Sequence, residues 1–174
     1  RCNGILKRLT LNPVEEDEFI DKDINIRDYL NEIILSFKEI SKKDFIFNFD
    51  QDSNPKKITK SIEIVYGLRN FIGNANKFAK NTIFINLKSD SETTEITVED
   101  DGDGYPRDIV SKIGEPYLKS NYSKDRSKEG LGLGLFIGKT LLEKNFATLN
   151  CRNSKTRSGA EVVIRWKNKE LFNI

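Results

Sequence analysis

The chain has 174 residues, 37% hydrophobic, 10% aromatic and 32% charged, with 29 basic residues against 27 acidic ones. This mixture describes a globular domain with its own core, not a disordered or fibrous chain, and a net charge of only +2 gives no case for nucleic-acid binding. There is no histidine, which excludes every mechanism needing imidazole within the chain: Ser-His-Asp and Cys-His nucleophile activation, His-rich zinc sites and phosphohistidine formation.

The two cysteines, Cys2 and Cys151, form neither a disulfide framework nor a zinc-ligand spacing, so a reducing compartment is expected. No stretch approaches the roughly 18 consecutive apolar residues of a membrane span, and no signal-peptide pattern opens the chain. Residues Arg1 to Thr10 carry a short helical pattern through Ile5, Leu6 and Leu9 that ends before Leu11-Asn12-Pro13. The expected division is therefore 1–12 as the end of an upstream helix and 13–174 as one domain.

Val14 to Asp23 is acidic and connecting. A helix follows over Ile24 to Ile40, with Leu30, Ile33, Ile34, Phe37 and Ile40 on one face and Asp28 as its expected N-cap. Phe45, Phe47 and Phe49 alternate in a strand over Asp44 to Asp50. From Ser61 to Lys80, Ile64, Leu68, Phe71, Ile72, Ala75, Phe78 and Ala79 keep the helical period. Strands from Thr82 and Thr94 flank a polar turn at Ser89 to Glu92 and read as a hairpin. A short helical stretch near Ile109 to Ile113 precedes a lysine-rich segment, Lys119 to Glu129, and then a glycine run opens a helix over Leu131 to Lys144. Strands at Ala147 to Arg152 and Ala160 to Lys167 close the chain. This order predicts a two-layer α/β sandwich: a mixed, largely antiparallel sheet of about five strands with three main helices on one face.

Three constellations could carry chemistry. Asn70, Asn74 and Lys77 stack on one flank of the central helix, where an amide oxygen suits a hydrated Mg²⁺ and a lysine suits phosphate; a solvated flank is the plainer reading of that stripe alone. Glu99-Asp100-Asp101-Gly102-Asp103-Gly104 follows a strand; its glycines let backbone approach a ligand, and a carboxylate there can accept a hydrogen bond from an adenine amine, although Asp-Gly turns are common. Gly130-Leu131-Gly132-Leu133-Gly134 leads into a helix whose exposed N–H groups favour anions, or serves as a hinge. It is not a Rossmann fingerprint, since Leu135 and Ile137 stand where the third glycine belongs. It is not a P-loop either: Gly138-Lys139-Thr140 fits the end, but Leu133 occupies the first glycine position.

In this order the three resemble the ATP-binding domain shared by histidine kinases, DNA gyrase, heat-shock chaperone ATPases and MutL. Asn70 and Asn74 resemble its N box, Asp101-Gly102-Asp103-Gly104 its first glycine box, Gly130 to Gly134 its second, and Glu115-Pro116-Tyr117 the aromatic box of sensor kinases. The closer likeness, through Gly114 to Tyr117, Gly130 to Ile137 and Gly159-Ala160 to Trp166, is to RegB/PrrB-type redox-responsive sensor kinases. Arg1-Cys2 with Ile5-Leu6 is similar to the cysteine-bearing end of their dimerisation region.

The resemblance implies ATP and Mg²⁺ as cofactors, with Asn74 ligating the metal, Asp101 reading the adenine amine, and Gly102 and Gly104 admitting the base. Lys77 would meet phosphate, Tyr117 would contribute to the nucleotide pocket, and Gly130, Leu131, Gly132, Leu133 and Gly134 would serve a mobile ATP lid. Asn70 stands where relatives that hydrolyse ATP carry glutamate; an amide is a poor general base, so transfer to a protein acceptor is favoured. Residues 1–12 would end a phosphoacceptor helix, making the partners a His-bearing dimerisation domain in a homodimer and a response regulator. The domain would be the cytoplasmic part of a membrane-anchored bacterial sensor, with no membrane or nucleic-acid contact of its own and Cys2 as a redox switch. Gly73 and Ala160 depart from the common pattern. A nucleotide-binding module with weak or no kinase activity, or an anti-sigma-type serine kinase, would share the fold.

Overall fold

The computed structural model describes residues 24–50, 57–58, 61–116 and 133–171. A two-residue strand β1 (Ile24–Asn25) leads into helix α1 (Ile26–Lys38), then strand β2 (Asp44–Phe49) and a short strand β3 (Lys57–Ile58) antiparallel to β1. Helix α2 (Ile62–Phe78) is followed by the β4 (Thr82–Ser89) and β5 (Thr93–Asp100) hairpin, and a 3-10 turn spans Val110–Lys112. Helix α3 (Leu133–Lys144), strands β6 (Thr148–Asn153) and β7 (Ala160–Lys167), and the one-turn helix α4 (Asn168–Leu171) complete the order. The main sheet runs β2-β4-β5-β7-β6, parallel between β2 and β4 and antiparallel elsewhere.

Strand alternation builds the core. Ile83, Ile85 and Leu87 of β4, Ile96 and Val98 of β5, and Val162, Ile164 and Trp166 of β7 are buried on one sheet face, where they meet Leu30, Ile33 and Ile34 of α1, Leu68, Phe71 and Ile72 of α2, and Leu142 of α3. Each such aliphatic side chain contributes about 1.5–3 kcal/mol of transfer free energy. The other face carries cross-strand ion pairs, Arg165 with Glu95 and Arg152 with Glu161, and Arg157 stacked over the Phe84 ring at 3.6 Å. Trp166 donates its Nε1 proton to the Asn145 carbonyl at 3.0 Å, tying β7 to the end of α3.

Local chemistry sets the boundaries. Helix α1 starts at Ile26 because the Asn25 side chain, not Asp28, accepts from the Arg27 amide at 2.9 Å; Asp28 lies in the first turn, where its charge suits the helix dipole. The helix stops at Lys38, so Ile40 stands 79% exposed instead of extending the apolar face. Phe49 and Phe78 are likewise exposed, each at the outer end of its element. Ser61 caps α2 through the Ile64 amide. Asp90 accepts from the Glu92 and Thr93 amides at 2.7 Å and closes the expected hairpin.

Candidate functional site

Of the sequence-predicted residues, Asn70 on α2 meets Gly134 at the start of α3, and the loop after β5 abuts the C-terminal end of α2. On α2, the Asn70 Nδ2 donates to the Tyr66 carbonyl one turn earlier at 2.8 Å, which fixes the orientation of the amide. Gly134 meets it from the first turn of α3: a Cβ there would lie 3.4 Å from Asn70 Oδ1. Asn74 is half-buried, with no side-chain hydrogen bond among the described residues. Lys77 is exposed, its ammonium 5.3 Å from the Phe78 ring centroid. Asn76, off this stripe, is bound structurally through the Ser41 hydroxyl at 2.7 Å.

Two glycines let α3 approach this stripe. A Cβ on Gly67 would fall 2.5 Å from Leu142 Cγ, and one on Gly138 would fall 2.9 Å from Asn70 Cβ and 3.1 Å from Phe71 Cε2. Gly138, read in the sequence only as part of a failed P-loop, is the point where α3 rests on Asn70. Two interior helical glycines at positions that should favour alanine were the signal for such a contact.

The acidic loop gives its two neighbouring aspartates different partners. The Asp101 carboxylate accepts the backbone N–H groups of Lys80 at 2.8 Å and Asn81 at 3.0 Å, spanning the turn between α2 and β4. Burial pushes its carboxyl up, but the donors at Asn81, Thr82 and Lys80 outweigh this and hold it below the usual range. Asp101 is thereby occupied as a clamp. Asp100, one residue earlier, is only 2% exposed. Its Oδ1 accepts the amides of Gly102 at 2.8 Å and Ala160 at 3.3 Å, whereas Oδ2 has no donor among the described residues. Burial raises the Asp100 carboxyl above the usual range, against the pull of its two amide donors. Asp100-x-Gly102-x-Gly104 also gives the D-x-G-x-G spacing from the buried carboxylate.

The glycines shape this loop. A Cβ at Gly102 would lie 2.5 Å from the Phe78 carbonyl, so the loop abuts the end of α2. Gly104 has φ +75, and a Cβ there would meet Asn153 Oδ1 at 2.7 Å. That amide clamps the next residue from both sides: the Tyr105 N–H donates to Asn153 Oδ1 at 2.6 Å, and Asn153 Nδ2 donates to the Tyr105 carbonyl at 3.0 Å. Asn153, on a strand 48 residues away, was not foreseen because no local pattern marks it. Lys80 pairs with Asp103 at 2.7 Å at the rim.

Leu133 and Gly134 form the first residues of α3, Leu133 half-buried and Gly134 exposed. Tyr117, Gly130, Leu131, Gly132, the lid segment Lys119 to Glu129, residues 1–12 and Cys2 lie outside the described residues. Cys151 is half-buried beside a cavity of about 160 Å³ with Val110, Ile113 and Lys139; burial pushes its thiol up to about 11. Among the described residues no group of three or more Cys, Asp or Glu side chains could hold a metal.

Residues 59–170 match the family described as histidine kinase-, DNA gyrase B- and HSP90-like ATPase. Sensor histidine kinase RegB of Cereibacter sphaeroides is 35% identical over 130 residues, covering 66% of this chain and 28% of RegB. Sensor protein RstB of Escherichia coli is 32% identical over 99 residues, 57% of this chain and 23% of RstB. The chain thus spans under a third of the length of these relatives. The mycobacterial sensor histidine kinase MprB shares the fold with TM-score 0.70 at 17% identity, over 83% of this chain and 96% of that one. The nucleotide-free catalytic domain of histidine kinase ThkA does so with TM-score 0.67 at 21% identity, over 82% and 94%. The Asp100 loop, the asparagine-bearing α2 and the glycine-led α3 lie within the matched span; the chain belongs to the histidine kinase-, DNA gyrase B- and HSP90-like ATPase family, as an ATP-binding catalytic domain of the sensor histidine kinase type.

Proposed function

We propose that this domain binds Mg·ATP between α2, the Asp100 loop and the start of α3, and directs the γ-phosphoryl group to a histidine outside these 174 residues. One observation carries the assignment: a buried carboxylate, Asp100, with one oxygen cradled by backbone amides and no donor to the other among the described residues. Oδ2 accepts the adenine amine in this reading, a role moved here from Asp101. Gly102 and Gly104 keep the backbone thin beneath the base. Asn74, with an uncommitted amide, fits Mg²⁺, which prefers oxygen donors, takes few of them from protein and keeps several waters. The ion would supply charge neutralisation at the phosphates.

Lys77 adds a mobile positive charge on the same flank, and Asn70, fixed by Tyr66, presents an amide oxygen toward the γ-phosphoryl position without basicity enough to activate water. Tyr117, Gly130, Leu131, Gly132, Leu133 and Gly134 are assigned to the nucleotide pocket and lid by resemblance to sensor kinases. The partners are a His-bearing dimerisation domain in a homodimer and a response regulator. The setting is the cytoplasmic side of a membrane-anchored sensor, with Cys2 the candidate redox residue; no described helix is long and apolar enough to cross a membrane.

Titration of the chain with ATP, with and without Mg²⁺, tests this. Asp100→Asn should abolish measurable binding and Asn74→Asp should alter its Mg²⁺ dependence. Parental affinity in Asp100→Asn, or Mg²⁺-independent binding by the parent, would overturn the respective assignment.

A further inference from the structure

Between α1 and β2, a short loop outside every motif of the nucleotide site grips the last turn of α2. The Ser41 hydroxyl donates to Asn76 Oδ1 at 2.7 Å, and the Lys43 amide donates back to Ser41 Oγ at 3.1 Å. The Lys43 ammonium donates to the Asn76 carbonyl and, at 2.6 Å, to the Ala79 carbonyl. These are carbonyls at the C-terminal end of α2, where the helix leaves acceptors unpaired and its dipole favours a cation. One residue on, the Asp44 amide reaches the Asn81 carbonyl at 2.9 Å and starts the β2–β4 pairing.

The same turn is held from the opposite side by the acidic loop. Asp101 takes the Lys80 and Asn81 amides, and Gly102 leaves no room for a Cβ against the Phe78 carbonyl. Residues 76–81 are therefore gripped between Lys43 and the loop that carries Asp100. We propose that Lys43 is a positioning residue of the nucleotide pocket, seating the end of α2 against the Asp100 loop and supplying the positive charge that offsets Asp101 beside Asp100. This rests on the reading of Asp100 as the adenine partner.

The charged and titratable groups that act on the Asp100 carboxyl support the electrostatic half of the role. Asp101, from the same loop, pushes it up, and Lys43 draws it down, while burial and the Gly102 and Ala160 amides act as described. Tyr105, the other titratable group coupled to Asp100, is buried and itself pushed well above the usual tyrosine range, first by burial, so it stays neutral. Lys43 is the cation in this balance.

The test compares the parent with Lys43→Gln, whose amide can still donate to the two carbonyls but carries no charge, and Lys43→Arg, which restores the charge. ATP affinity in excess Mg²⁺ is measured as a function of pH, with melting temperature alongside. Lys43→Gln should weaken ATP binding about fivefold near neutral pH and move the acid-side midpoint of binding up by about half a pH unit; Lys43→Arg should return both toward the parent. A Lys43→Gln chain with lowered melting temperature but parental affinity and midpoint would overturn the proposal, because a purely structural cap moves neither. Asp100→Asn, run in parallel, separates the failures: parental affinity there removes the nucleotide reading itself, whereas lost binding there with an unmoved Lys43→Gln midpoint removes only the role of Lys43.

Discussion

Asp100 and Asp101 are neighbouring carboxylates that the backbone sends to opposite tasks. Successive strand residues point to opposite faces, so when β5 ends at Asp100 that side chain turns into the core side and Asp101 turns out toward the Lys80–Asn81 amides. A one-residue choice in the acidic run was therefore a choice of face. Strand alternation from Ile96 and Val98 was the cue that favoured Asp100, whereas the amides occupying Asp101 come from residues about 20 positions earlier and left no local trace.

The two should separate in mutants. Asp101→Asn should keep ATP affinity within severalfold while losing about 1 kcal/mol of stability in a denaturant titration, the worth of a charged acceptor on backbone amides. Acid should act on them with opposite signs. Asp101, held low in the fold, contributes stability that is present above its unfolded pKa and is lost as pH falls through the folded one. Asp100, held high, favours the nucleotide-free fold when protonated, a contribution lost as pH rises through its folded pKa. Over that window above the ordinary carboxylate range, ATP affinity should rise with pH, and calorimetry at several pH values checks the sign.

At the level of elements, the α2–α3 contact is the part of the site that sequence periodicity could not supply. Period identified α2 and α3 and their apolar faces, but not which glycines touch. Gly138→Ala should destabilise by about 1–3 kcal/mol through overpacking against Asn70 and Phe71, despite alanine's better helix propensity. Gly134→Ala, where a Cβ would meet Asn70 Oδ1 at 3.4 Å in ordinary contact, should be near neutral or stabilising. Thermal melting of the pair distinguishes a packing contact from a general need for flexibility.

The other end of α3 carries strain instead. Phe146 has φ 62 and is 59% exposed. It sits where the Ala147 amide returns to the Leu142 carbonyl at 2.9 Å and the Phe146 amide to Glu143 at 3.0 Å, a Schellman closure that prefers glycine. Phe146→Gly should therefore stabilise by about 1 kcal/mol, read as a raised melting temperature.

Across the whole molecule, the two-layer architecture, the hairpin and the helix order were legible because each rests on local period and turn chemistry. What was not legible joins distant segments: the Asn153 clamp on Tyr105, the Lys43 cap on α2 and the Asp101 clamp on the α2–β4 turn. These side chains look like ordinary surface polar residues until the sheet order brings them together. The absence of histidine acts at this scale too. Labelled ATP should leave no phosphohistidine on this chain alone, and should label a separately supplied His-bearing dimerisation domain; label confined to serine would instead support the serine-kinase alternative.

Trp166 gives the molecule an internal optical gauge. It is the single tryptophan in the chain, fully buried and hydrogen-bonded to the carbonyl of Asn145 just beyond α3. Its emission thus reports whether the C-terminal end of α3 stays docked on β7, without an added label. A helix that detached there would expose the indole and shift the emission to the red, while movement confined to the glycine-led end of α3 would leave the signal unchanged.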